Sequence, residues 1–140
     1  MRRLSPALVL LLLALPALAQ DVPAPPLHFE AGAVLPGGHV LREAVMLPAK
    51  PGPVTLTAQD GRLDWTVAVE HGETRLLQPD GHWAAKAEYH RLMRAGQPAC
   101  QIYQTTISPE WAVRGADKPG RADYTPADDR IYSFRDTPCP

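Results

Sequence analysis

Two cysteines, five histidines and a scatter of aspartates are the side chains of this chain with the most obvious chemical potential. A metal centre needs several His, Cys or carboxylate ligands at spacings that converge on one point. His28, His39, His71, His82 and His90 are dispersed, and no His-Glu-x-x-His motif pairs two of them. His71-Gly72-Glu73 matches the first half of a zinc-deaminase signature. Pro98-Ala99-Cys100 does not supply the second half, so a polar turn is the better account of that triplet. No metal site is assigned.

Nucleophilic catalysis needs an exposed Ser or Cys beside a base. Beyond residue 19 the serines are Ser108 and Ser133, and Gly-x-Ser-x-Gly is absent. Ser108-Pro109-Glu110 reads as a helix start, with Ser at the cap and Pro in the first turn. Ser133 reads as the outward residue of a strand. Glycine-rich phosphate-binding motifs are missing, so no nucleotide cofactor is implied. Asp60, Asp64, Asp80, Asp128 and Asp129 could furnish the two carboxylates of a glycosidase-like acid–base pair. Asp60 and Asp80, however, stand beside Gly61 and Gly81 in turns, and Asp128-Asp129 follows Thr125-Pro126 at capping distance. No catalytic residue is assigned.

Cys100 and Cys139 are expected to pair as a structural disulfide. The expectation rests on the N-terminus: Arg2-Arg3, an apolar run over residues 7–19 and Ala17-Leu18-Ala19 have the form of a secretory signal peptide cleaved after Ala19. Exported domains use their cysteines in disulfides. The run is too short for a spanning helix and is broken by Pro16, and no Cys follows Ala19 for lipid attachment. No membrane anchor is expected after cleavage.

Cleavage of 19 residues from 140 leaves 121, suited to one domain. It also removes Arg2 and Arg3, leaving 12 Lys plus Arg against 15 Asp plus Glu, a net charge of −3. With no basic run, the chain is a poor partner for nucleic acid or anionic membrane. The absence of Asn excludes N-linked glycosylation. Among the tryptophans, Trp65 reads as core, whereas Trp83 and Trp111 begin elements next to turns.

Residues 20–27 form a Pro-rich lead-in and residues 28–140 a single small globular domain. Phe29, Val34 and Leu35 suggest a first edge strand, and residues 39–47 a second strand before Pro48, Pro51 and Pro53. Residues 54–58 and 63–70 alternate across Gln59-Asp60-Gly61, with Leu63, Trp65, Val67 and Val69 on one face, which predicts an antiparallel hairpin. Residues 74–78, 100–107 and 130–134 read as further strands, and residues 116–129 as a polar loop. Residues 82–95 carry two periodicities. Ala85, Tyr89, Leu92 and Met93 share a helical face, while Trp83, Ala85, Ala87, Tyr89 and Met93 alternate as in a strand. The lack of β-branched residues and the stop at Gly96-Gln97-Pro98 favour helix.

The expected fold is therefore α+β, an antiparallel β-meander with one packed helix; a small all-β sandwich or barrel is the alternative if residues 82–95 form a strand. The expected function is a non-catalytic envelope or secreted module, binder or inhibitor, for a protein or small ligand in the envelope or outside. A small hydrolase using carboxylate or His acid–base chemistry is the alternative.

Overall fold

In a computed structural model the described residues are 22–107 and 130–140. Ten strands follow one another: β1 (Leu27–Phe29), β2 (Val34–Leu35), β3 (His39–Val40), β4 (Val45–Leu47), β5 (Gly52–Ala58), β6 (Gly61–Glu70), β7 (Glu73–Leu77), β8 (Trp83–Arg94), β9 (Gln97–Ile107) and β10 (Arg130–Thr137). The last six form one antiparallel meander in the order β10-β9-β8-β7-β6-β5, and β1 pairs with β4 and β2 with β3. No described helix is long and apolar enough to cross a membrane.

The hairpin predicted from period two is present. Leu56 faces Leu63 and Val54 faces Trp65 across β5 and β6, closed by Ala58 opposite Gly61. Leu63, Trp65 and Val67 are buried on the inner face as their alternation requires. The strand read over residues 39–47 is instead split. β3 turns back on β2 and β4 pairs with β1, with Leu41 between them bridging to Ala58.

The packed helix over residues 82–95 is not formed: this segment is β8, hydrogen-bonded to β7 on one side and to β9 on the other, so the fold is all-β rather than α+β. Three local features explain the outcome. As a helix the segment would offer Met93 to a core, yet Met93 is 64% exposed. As a strand it turns the small residues Ala85 and Ala87 inward under the N-terminal segment. A register shift opposite Leu76 and Leu77 inserts Ala84, which puts two consecutive alanines in the interior and blurs the period-two signal. Gly96, read as a helix stop, is the second residue of a two-residue hairpin: Arg94 faces Gln97, and Ala95 and Gly96 take φ of 51° and 78°.

β1 to β4 lie over one face of the meander. Leu27, Phe29, Leu35, Leu41 and Leu47 from the N-terminal segment share one core with Leu56, Trp65, Val67, Leu76, Ala85 and Ile102 from the sheet. Burial on this face is the main stabilising term, at roughly 1.5–3 kcal/mol per large side chain. Cys100 and Cys139 form the expected disulfide, with Cα atoms 5.0 Å apart. Thr137 lies opposite Cys100 in the β9–β10 ladder, so the bond ties the tail to β9 just past the last paired residue. The expected signal peptide, the helix start at Ser108, the polar loop over residues 116–129, Trp111, Asp128 and Asp129 lie outside the described residues.

Candidate functional site on the open face of the sheet

With one face of the sheet covered, alternation sends every second residue of β5 to β10 to the other. On β5 and β6 the open face is mostly polar, and at its centre Asp64 gathers its neighbours. Asp64 accepts hydrogen bonds from Arg62 at 3.0 Å and from Thr55 Oγ1 at 3.2 Å. Ion pairs at such exposed positions add little stability, but they keep a sheet face soluble.

The other half of this face differs. The ladders place Lys86, Thr105 and Tyr132 in one row, Glu88, Tyr103 and Phe134 in the next, and His90, Gln101 and Asp136 in a third. Tyr103 is the centre of this grid. Its ring stacks on Phe134 at 4.7 Å between centroids and on Tyr132 at 5.6 Å, and the His90 ring lies 4.7 Å away. Phe134 is 58% exposed and Tyr132 42%. Large rings held in register yet left to water gain little from burial in this chain and form a contiguous apolar surface.

Charges frame the rings. Glu88 Oε1 lies 3.1 Å from His90 Nε2. Arg94 Nη2 and Gln101 Nε2 both donate to Asp136 Oδ1 at 3.1 Å, and together they hold the Asp136 carboxyl below its ordinary range. Lys86 Nζ sits 4.7 Å from the centroid of Trp83, and the Arg130 guanidinium 6.0 Å from the same ring. Beside the Arg94–Asp136 pair, at the end of the sheet, lies an open cleft of about 490 Å³ lined also by Arg91, Pro98 and the tail.

The residues weighed for catalysis are spread apart. Asp60 pairs with His39, Oδ2 to Nδ1 at 2.8 Å, and the His39 ring meets Trp65 edge-on at 6.0 Å. The other ring nitrogen of His39 lies against Gly37, where an added Cβ would come within 2.9 Å of it. Asp80 caps its own turn by accepting from the His82 backbone N–H at 3.0 Å. Slight burial opposes its ionisation, but the bonds from His82 outweigh that and hold its carboxyl below the usual value. His71 and Gly72 form a two-residue turn with φ of 51° and 77°, as a polar turn requires. Among the described residues no group of three or more His, Cys, Asp or Glu could hold a metal ion.

Tyr103, Tyr132 and Phe134 carry no motif, and sequence reasoning passes over them. Tyr132 and Phe134 share a face of β10 by simple alternation, Tyr103 is the one aromatic of β9, and only the β9–β10 register, interrupted in sequence by residues 108–129, sets Tyr103 beside the other two. Trp65 is core, as its alternation predicted. Comparison of the chain with family models, curated proteins and solved structures finds no match.

Proposed function

We propose that this protein is an exported, disulfide-closed, non-catalytic binding module that engages another protein through the aromatic half of its open sheet face. The observation that carries the reading is Tyr103 ringed by Phe134, Tyr132 and His90 on a solvent-facing surface. Aromatic anchors bordered by charges are the composition of protein–protein contact centres. The grid is an exposed sheet surface and not an enclosed pocket, which suits a protein partner better than a small ligand that must be engulfed. The Cys100–Cys139 bond fits an oxidising compartment, in line with the signal-like N-terminus. An acidic mature chain makes nucleic acid a poor partner.

The test places a photo-crosslinking residue at Phe134 and, as control, at Arg62 on the polar half of the same face, in protein exported by its native host. Cross-links to a discrete envelope or secreted protein from position 134 alone support the reading. Equal labelling from both positions, or none, sinks it. The hydrolase alternative has its best-placed pair in His39 and Asp60, and an activity abolished by His39→Ala in a folded protein would favour it instead.

A further inference from the structure

The two edges of the six-stranded sheet are treated very differently. At the β5 edge, Gly52 and Pro53 open the strand, and the segment after β3 crosses its end. Arg42 N–H donates to the Thr57 carbonyl at 3.0 Å and Gln59 N–H to the Val40 carbonyl at 2.8 Å. This edge is closed by proline and by the chain's own backbone. At the other edge β10 runs for eight residues, Arg130-Ile131-Tyr132-Ser133-Phe134-Arg135-Asp136-Thr137, with no proline, lysine or register shift. Among the described residues nothing pairs with its outer side. Ile131, Tyr132 and Phe134 are all exposed on it.

The order of residues along β10 is complementary to itself. In an antiparallel pairing of two copies about a two-fold axis through Ser133, each Ser133 faces its own copy. Tyr132 then faces Phe134 and Arg130 faces Asp136, each twice by symmetry. All four lie on the open face, so directly opposed residues bring ring against ring and base against acid. Moving the axis to Phe134 would set Tyr132 against Asp136 and lose both matches. A slip by one residue would oppose residues of different faces.

We propose that β10 is a self-association edge, and that two copies of this chain pair through it about a two-fold axis at Ser133 to join their six-stranded sheets into one. The occupant is a second copy because the charge and ring order fits its own reverse, the condition for an interface that uses the same patch on both partners. Pairing brings two aromatic grids into one continuous surface. The inference does not rest on the partner reading above, and it is tested with the purified, disulfide-intact protein alone.

The first measurement is sedimentation velocity across a concentration series reaching the millimolar range, in which a monomer–dimer equilibrium is expected. Ser133→Lys sets two like charges face to face on the axis and should weaken association about fivefold or more, with the monomer's circular dichroism unchanged. Register is read by cysteine cross-linking. Directly opposed residues of an antiparallel pair have Cα atoms about 4.5–5.5 Å apart, within the span of a disulfide. Ser133→Cys should therefore give a covalent dimer under mild oxidation, whereas Ile131→Cys, opposite Arg135, should not. A monomer throughout the series, an unchanged association in Ser133→Lys, or equal cross-linking by both cysteine variants would overturn the proposal.

Discussion

The side-chain amide of Gln104 grips the backbone of His28 by both of its ends: the His28 N–H donates to Oε1 at 2.9 Å, and Nε2 donates to the His28 carbonyl at 2.8 Å. Gln104 is buried and 76 residues away in sequence, and it projects from β9 into the layer formed by β1. A side chain here does the work of a neighbouring strand, satisfying both polar groups of a residue in the N-terminal layer. The layers are thus fixed in register by a directional contact as well as by apolar burial, which is non-directional.

Gln104→Met keeps the bulk of the side chain and removes both bonds, leaving two partly buried backbone groups without partners. The expected cost is about 2–4 kcal/mol, since each orphaned group costs roughly 1–3. Urea unfolding should show a lower midpoint with an unchanged slope. A loss under about 0.5 kcal/mol would mean that water replaces the amide freely.

Thr74 presents the opposite case. Its side chain is fully buried within β7, and its hydroxyl has no hydrogen-bond partner among the described residues. Removing an unsatisfied hydroxyl while keeping the shape recovers its desolvation penalty. Thr74→Val is therefore expected to stabilise the protein by about 1 kcal/mol, seen in calorimetry as a melting temperature raised by roughly 4 °C.

The Cys100–Cys139 bond spans 39 residues of sequence, so the chain-entropy argument assigns it about 4 kcal/mol at most. Its effect should be uneven. β10 lies at the sheet edge and is mostly exposed, whereas β6 and β7 are inside the sheet. The double variant Cys100→Ala, Cys139→Ala is expected to lose hydrogen-exchange protection in β10 first, while the β6–β7 ladder stays protected until global unfolding.

Reading this chain from sequence succeeds where one face is buried by large residues. Leu63, Trp65 and Val67 alternate cleanly because each must enter the core, and the β5–β6 hairpin follows. It fails at β8, where the inward residues are alanines that suit a helix equally well and Ala84 breaks the alternation. It also misses the candidate site. Tyr103, Tyr132 and Phe134 lie on the open face, so no burial pattern marks them, and the approach of Tyr103 to the two β10 rings depends on a pairing between strands separated by residues 108–129. The disulfide was legible because its inference needs only the compartment and a count of two cysteines.

Acid sensitivity follows from Asp136. Hydrogen bonds from Arg94 first and Gln101 second depress its carboxyl in the folded protein. A depressed carboxyl contributes stability above its unfolded pKa and loses it as pH falls through the folded value. Stability in denaturant should therefore decline on the acid side of the carboxylate range, and Asp136→Asn should flatten that part of the profile while leaving the contribution of Asp80, depressed by His82, in place. Because Asp136 is exposed, the effect should shrink in high salt.

Ala95 offers the sharpest test of the strand assignment over residues 82–95, because helix and hairpin demand opposite signs. In the hairpin it is a non-glycine residue at φ 51°, left-handed backbone that disfavours a Cβ. Replacing it by glycine relieves that strain, offset in part by the entropy of a freer unfolded chain, for a net gain of about 0.5–1 kcal/mol. In a helix ending at Gly96, the same change would remove the best helix former and cost about 1 kcal/mol. His71 holds the same position in the β6–β7 turn, also with φ 51°, so His71→Gly should gain by the same mechanism whatever β8 does. Chemical denaturation of the two variants side by side decides the matter. A gain in both requires that β8 and β9 be a hairpin like β6 and β7, whereas a gain at His71 with a loss at Ala95 would return the segment to a helix.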